Sequence, residues 1–402
     1  MKQKNKRKKW LKFRHKAVTA ILKPFLGAYA KIKYKIKCEK FKEQGKRQYL
    51  ILMNHQTSFD QFFVAMCFKG PIYYIATEDI FSMGFVSKLI KYLVAPIPIK
   101  KQTTDVRAVL NCMHISKEGG TIALAPEGNR TYSGRTEHIK PSIVDLAKRL
   151  KQPIAIFRIE GGYGVQPRWS NKIRKGNMKA YVSRVIEPAE YENMPNDELY
   201  KLITESLYVD ESGIGGEFKS KTAAEYLERV FYVCPECGLS GFESSGDKIK
   251  CQKCGIEAAY TSDKQLVGTY KPFPFDRIGK WYDYQNSFIN SFDCLSNLDT
   301  ALYSERASLY EVVLYKNKKL ISKDIGITLY GDRVCFENGL VCSFDETDVI
   351  TVLGKNKLNI YRGGKVYQLK GGKRFNALKY MNLYFRYKNQ KEGNGNGKFL
   401  GI

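Results

Sequence analysis

The segment Asn54-His55-Gln56-Thr57-Ser58-Phe59-Asp60 sets an imidazole five residues before a carboxylate, directly after a short apolar run. An imidazole tied to a carboxylate through one ring nitrogen keeps the other for taking a proton from a hydroxyl, which is general-base chemistry. On one continuous helix, residues five apart diverge by about 140°. Ser58 and Gln61 have the spacing of a capping box. That spacing predicts a helix starting at Ser58, with Asp60 in its first turn and His55 in the loop ahead, free to fold back. A helix N-terminus favours the carboxylate, and its N–H groups are candidates for stabilising an oxyanion. The spacing alone also fits a loop histidine satisfied by its neighbour. The other histidines are His15, His114 and His138.

A second group of charges follows residues 121–125, which read as a buried strand ending in Pro126-Glu127-Gly128-Asn129-Arg130-Thr131. Proline and glycine bend the chain at the strand's carboxyl end and would turn Glu127 and Arg130 toward a crevice. A guanidinium fork there matches a phosphate. Charged turns of this kind are also common without such a role.

A third group, Cys234, Cys237, Cys251 and Cys254, is spaced C-x2-C-x13-C-x2-C, with Gly238 and Gly255 after the pairs. Two such knuckles supply four thiolates to a tetrahedral Zn2+. A closed four-thiolate site leaves no position for water and is structural. The ribbon is read as a folded spacer, with nucleic-acid or protein binding as the other use of such modules. The remaining six cysteines are scattered, which fits a reducing, cytosolic setting rather than a disulfide framework.

The elements that must carry these groups alternate. Residues 49–53, 72–76, 121–125, 154–159 and 179–186 read as strands. Residues 61–68, 81–93, 103–118, 143–150, 196–209 and 222–232 read as helices. This is an α/β pattern, a mostly parallel sheet flanked by helices. From about residue 309 seven short strands separated by glycine turns precede a helix at 376–387. They suggest a β-rich unit whose pattern resembles a PH- or GRAM-like domain. The expected order is a basic amphipathic segment (1–44), an α/β domain (45–232), a zinc ribbon (233–258), a connector (259–305), the β-rich domain (306–388) and a disordered tail (389–402).

Among 402 residues, 43% are hydrophobic, enough for packed cores, and the formal net charge is +27. The first 50 residues hold 18 Lys and Arg against Glu39 and Glu43, or +16. Trp10, Leu11, Phe13, Val18, Ile21, Leu22, Phe25, Leu26 and Tyr29 are interleaved with these charges, several of them three or four apart. Such a segment reads as an interfacial anchor on an anionic membrane surface, peripheral on its cytoplasmic face. Residues 17–30 are too short and too charged for a span of roughly 18–20 apolar residues.

Taken together and in order, the His55–Asp60 spacing and the Pro126-Glu127-Gly128-Asn129-Arg130 turn, about 70 residues later, resemble the motifs of the glycerolipid acyltransferase family, typified by 1-acylglycerol-3-phosphate acyltransferases. Ala95-Pro96-Ile97-Pro98-Ile99-Lys100-Lys101 resembles the family stretch that normally ends in arginine. Gln152-Pro153-Ile154-Ala155-Ile156 resembles its later strand motif. Asn129 departs from the usual threonine, and Lys100 or Lys101 from the arginine. The resemblance implies catalysis by His55 and Asp60, and acceptor binding by Glu127, Gly128, Arg130, Lys100 and Lys101. It further implies transfer from acyl-CoA or acyl-carrier-protein to a lysophospholipid, most simply 1-acylglycerol-3-phosphate, with no catalytic metal. The alternatives are a non-catalytic lipid-binding scaffold and a nucleic-acid-binding ribbon protein, the latter disfavoured.

Overall fold

The structure, a computed structural model, describes residues 9–99, 105–313, 316–393 and 399–401. The chain packs as two units that interleave along the sequence, whereas composition suggested consecutive modules. The first unit comprises 1–128, 139–160 and 178–209. The second comprises 129–138, 161–177 and everything from 210 onward.

The first unit is built on seven strands: β1 (Ile36–Cys38), β2 (Leu50–Met53), β3 (Ile72–Thr77), β4 (Ile97–Ile99), β5 (Thr121–Leu124), β6 (Ile154–Glu160) and β7 (Met178–Ile186). They lie in the order β1-β7-β6-β2-β5-β3-β4. All neighbours run parallel except β6 and β7. The sheet is therefore mostly parallel, as the alternating pattern predicts. Every residue of β2 is buried, as expected of a central strand covered on both faces. Helices α1 (Phe13–Tyr34), α2 (Asp60–Cys67), α3 (Phe85–Val94), α4 (Val106–Lys117) and α5 (Ser142–Leu150), with a further helix at Asn196–Leu207, complete the unit. Leu50, Leu52, Ile122, Ile154 and Ile156 meet Cys112, Ile115, Val144, Ala147 and Ile203 in one core. β1 was not foreseen: the basic segment does not end as a tail but pairs with β7.

Among the described residues no helix is long and apolar enough to cross a membrane. On α1, Ile21, Phe25, Tyr29 and Ile32 fall at helical spacing and are exposed, while His15, Ala30 and Tyr34 are buried. On α3, Phe85, Val86, Leu89 and Tyr92 are exposed as well. Arg14 joins the two helices: its Nε donates to the Tyr92 carbonyl at 2.8 Å and its guanidinium lies 3.9 Å from the Tyr92 ring.

The second unit contains the short strands β8 (Val233–Cys234) and β9 (Gly238–Leu239), and a four-stranded antiparallel sheet of β10 (Phe242–Ser245), β11 (Lys248–Cys251), β12 (Glu257–Tyr260) and β13 (Leu266–Gly268). A helix at Ile278–Ser291 follows. Then come β14 (Tyr303–Glu311), β15 (Lys319–Leu329), β16 (Arg333–Phe336), β17 (Val341–Ser343), β18 (Thr347–Leu353), β19 (Lys357–Arg362) and β20 (Lys365–Gly371). These seven form one antiparallel, barrel-like sheet in the order β17-β16-β15-β14-β20-β19-β18. A helix at Leu378–Lys391 packs on it. That helix runs past residue 389, where a disordered tail was expected. Tyr384, Tyr387 and Leu400 are buried in this unit's core.

The helix expected over 222–232 is absent. Tyr226 adopts φ 73°, which breaks a right-handed helix. Only the single 3-10 turn Leu227–Arg229 forms. Leu227, Val230, Phe231, Tyr232 and Val233 are all buried, a run with no solvent face.

His15 gives a pH-dependent contribution to stability. Its Nδ1 lies 3.0 Å from the Tyr73 hydroxyl, and the ring is 2% exposed. Burial, then the charges of Arg14 and Lys12, lowers its pKa from the ordinary 6.5. Below that value the unfolded chain takes up a proton that the folded chain resists, so stability falls as pH drops through the His15 range. The urea midpoint is expected to rise between about pH 5 and about pH 7.5, and His15→Gln to flatten part of that rise. An identical pH profile for the variant would contradict this.

Candidate active site

His55 sits in the loop between β2 and α2, at the carboxyl end of the central strand. Neighbouring strands hold that loop from both sides. Asn54 Nδ2 donates to the Ile159 carbonyl and Asn54 Oδ1 accepts the Ile159 N–H, each at 2.8 Å. This side chain continues the parallel ladder between β2 and β6 by one step. On the other side, the His55 N–H donates to Glu127 Oε1 at 2.8 Å. Glu127 is 7% exposed and lies just beyond β5, in a turn where the Gly128 N–H donates to the Ala125 carbonyl at 3.0 Å. Gly128 has φ 68° with open space around it, so the backbone angle and not crowding calls for glycine.

Asp60 is fully buried and gathers the loop onto its carboxylate. Oδ2 accepts from His55 Nδ1 at 2.8 Å and from the Gln56 N–H at 2.7 Å. The Thr57 N–H donates to both oxygens, at 2.9 and 3.0 Å, and the Thr57 hydroxyl to Oδ1 at 2.6 Å. A carboxylate, which only accepts, suits four groups that all donate. The same contact makes Nδ1 the protonated nitrogen of a neutral His55 ring. Nε2 is then the acceptor, and the side chain is 26% exposed. The pair can therefore act as a base toward a hydroxyl that reaches Nε2.

The local structure differs from the capping box read in the sequence. Phe59, not Ser58, is the N-cap, and Asp60 is the first helical residue. Gln61 Nε2 donates to the Ser58 carbonyl at 3.2 Å. Asp60 already takes the Gln56 and Thr57 N–H groups, and Thr57 Oγ1 accepts the Phe59 N–H at 3.0 Å. The N–H groups of Gln56, Thr57 and Phe59 in the loop ahead of the helix are thus engaged. Asn54 and Thr57 were missed by sequence reasoning. Their short polar side chains beside a buried strand end are the signal that could have found them.

Of the other expected site residues, Glu127 and Gly128 are brought beside His55. Lys100 and Lys101 lie outside the described residues. Arg130 packs with the second unit. There its carbonyl accepts from Arg168 Nη1 at 2.8 Å, and Asn129 Oδ1 accepts from Arg168 Nη2 at 3.3 Å.

The four clustered cysteines converge, with their sulfurs all within 4.8 Å of one another. Cys234 and Cys254 Sγ lie 3.5 Å apart, and Cys237 and Cys251 Sγ 3.6 Å apart. Zinc bonds of about 2.3 Å in tetrahedral geometry give sulfur separations near 3.8 Å, so this donor set could hold Zn2+. Gly238 and Gly255 have φ 73° and 79°, the conformation a tight knuckle needs. If zinc binds there, prolonged chelation or Cys251→Ser is expected to lower the unfolding temperature by several degrees, restored by zinc only in the wild type. A chelator-insensitive melting curve would contradict it.

Replacing Asp60 with Asn puts an amide N–H among groups that all donate. Asp60→Asn is expected to destabilise the fold by about 2–4 kcal/mol in urea titrations. A loss below about 0.5 kcal/mol would show that the carboxylate is not the organiser of this loop.

Residues 33–160 match the acyltransferase family model. The 1-acyl-sn-glycerol-3-phosphate acyltransferase of Bacillus subtilis is 22% identical over 136 residues, covering 34% of this chain. The chain spans 65% of that relative's length. Among solved structures, the 1-acyl-sn-glycerophosphate acyltransferase of Thermotoga maritima aligns with TM-score 0.42 and 21% identity over 48% of this chain and 78% of that one. The N-terminal PH domain of human ARAP2 aligns with TM-score 0.19 and 9% identity over 24% of this chain and 88% of that one. At these scores neither superposition carries an argument. The family match and the curated relative support the acyltransferase family for the segment that carries His55, Asp60, Glu127 and Arg130.

Proposed function

We propose that the protein transfers a fatty acyl group from a thioester, acyl-CoA or acyl-carrier-protein, to the hydroxyl of a lysophospholipid, most simply 1-acylglycerol-3-phosphate, at an anionic membrane surface. The observation that carries this reading is the 2.8 Å contact between His55 Nδ1 and the buried Asp60 carboxylate, which leaves Nε2 as the ring's acceptor. The name of the Bacillus subtilis relative supports the choice of acceptor.

His55 Nε2 takes the hydroxyl proton as the oxygen attacks the thioester carbonyl. The tetrahedral intermediate collapses to the ester and expels a thiolate, which receives that proton from His55. Asp60 keeps the ring in the competent tautomer and stabilises the imidazolium between the two steps. Glu127 holds the His55 backbone rather than touching the reacting atoms. Arg130, two residues beyond Gly128, binds the acceptor phosphate, assisted by Lys100 and Lys101.

Membrane docking uses the exposed residues Ile21, Phe25, Tyr29 and Ile32 of α1 and Phe85, Leu89 and Tyr92 of α3, flanked by lysines. Tyr29 is also part of an aromatic cluster with Tyr34, Phe59 and Phe63. Phe59 immediately precedes Asp60, so apolar surface is continuous from the exposed face of α1 to the catalytic loop, a path suited to an acyl chain.

In liposomes containing lysophosphatidic acid, with either acyl thioester as donor, His55→Ala is expected to lower turnover about a hundredfold or more while the protein stays folded. Unchanged turnover would remove His55 as the base. Absence of any ester product from the wild type would remove the acyltransferase reading.

A further inference from the structure

Two of the six cysteines outside the ribbon cluster meet within the first unit. Cys38 ends β1, and Cys67 ends α2. Helix α2 packs on both β1 and β7. In the parallel ladder Cys38 stands directly beside Ala180 of β7. The Cys67 thiol reaches the same place from the helix, donating to the Ala180 carbonyl at 3.6 Å. That carbonyl also accepts the Glu39 N–H at 2.9 Å. The Phe41 N–H donates to the Cys67 carbonyl at 2.9 Å, so the chain leaving β1 is fixed to the end of α2 as well. The Cys38 thiol lies 3.9 Å from Sδ of Met66, the neighbour of Cys67.

The two thiols differ in what they can do. Cys38 is half-buried, whereas Cys67 is 3% exposed. Contact with the Cys67 thiol holds the Cys38 pKa below its ordinary 9.0, against burial and with help from the Lys31 ammonium of α1. The same contact, then burial, raises that of Cys67, with Lys23 of α1 opposing and Glu39 adding to the rise. One sulfur is thus accessible and inclined to the thiolate, the nucleophilic form, while the other is sheltered, protonated and close at hand. This is the division of labour between an attacking and a resolving cysteine.

We infer that Cys38 is a site of oxidation by peroxide and that Cys67 resolves it, closing a reversible Cys38–Cys67 disulfide. The Cys38 thiolate attacks one oxygen of hydrogen peroxide. The O–O bond breaks, and the departing hydroxide takes up a proton as water. The Cys67 sulfur then displaces hydroxyl from the Cys38 sulfenic acid and loses its own proton, so a second water leaves as the S–S bond forms. One peroxide is reduced by two electrons, and each sulfur supplies one. The bond ties the edge strand β1 to α2, whose first residue is Asp60, and closes the segment 39–66. A thiol reductant reopens it. The inference does not depend on the acyltransferase reading.

The test treats the full chain, reduced and freed of reductant, with a few equivalents of hydrogen peroxide. The protein is then alkylated, digested and examined by mass spectrometry, in the wild type, Cys38→Ser and Cys67→Ala. In the wild type the cross-linked Cys38–Cys67 peptide is expected to form about tenfold or more faster than the buried Cys112 or Cys294 is oxidised, and to disappear with dithiothreitol. In Cys67→Ala, Cys38 is expected to stop at the sulfenic acid, where dimedone traps it. In Cys38→Ser, Cys67 is expected to remain a free thiol. The oxidised wild type is expected to melt several degrees above the reduced protein, a rise that Cys67→Ala lacks. The wild-type measurements need no substitution, so a variant that fails to fold leaves the test intact. A Cys38 oxidised no faster than Cys112 overturns the inference. So does a wild type in which Cys38 is oxidised without the cross-link. No turnover is read, so this outcome and that of the acyltransferase assay are independent.

Discussion

One buried carboxylate organises the His55 loop. Asp60 lies at 0% exposure and is surrounded by donors from residues 55, 56 and 57. Burying a carboxylate without partners would cost several kcal/mol. Closing the loop so that its N–H groups, a hydroxyl and an imidazole converge satisfies Asp60 and the loop backbone together. The orientation of His55 follows from that closure. The Asn54 bridge to β6 and the Glu127 contact to the His55 N–H then register the loop against two neighbouring strands. Position, tautomer and rigidity of the imidazole therefore come from the same few bonds.

The strand pattern was readable because the buried strands are continuous apolar runs. Residues 49–53 and 154–157 are unbroken apolar runs, the second continuing past Arg158 to Ile159, and β2 and β6 are found there. Helix α5 was readable from its periodicity, with Ile143, Val144, Leu146, Ala147 and Leu150 buried. Where packing surrounds a segment on every side, periodicity misleads. The 222–232 stretch shows this, since its apolar run is buried throughout and its backbone reverses at Tyr226. The capping box failed for a related reason. Ser58 and Gln61 have the right spacing, but Asp60 draws the loop through residue 57 onto its carboxylate and the helix begins one residue later than the box requires, with Phe59 as its N-cap.

The histidine–aspartate pair and the Glu127 turn were legible because strand ends in a parallel sheet lie at one edge, so residues distant in sequence converge there. Arg168 and Lys355 were not legible. The partners of Arg168 are 38 and 186 residues away in sequence and that of Lys355 is 184 away, and nothing in a local window marks a guanidinium that will brace two loops. The four cysteines stand between these cases: their spacing announces the cluster, and the convergence of the sulfurs agrees with it.

The apolar faces of α1 and α3 and the aromatic cluster at Phe59 lie in the same unit as the His55 loop. The surface proposed to hold lipid and the proposed base are thus carried by one unit. Everything chemical in this account still depends on which nitrogen of His55 bears the proton. Nitrogen NMR of histidine-labelled protein, with the His55 resonances assigned by their loss in His55→Gln, reads this directly. The account predicts a protonated Nδ1 and a pyridine-like Nε2 in the neutral ring. A neutral ring protonated at Nε2 would contradict it, because that nitrogen could then accept nothing from a hydroxyl.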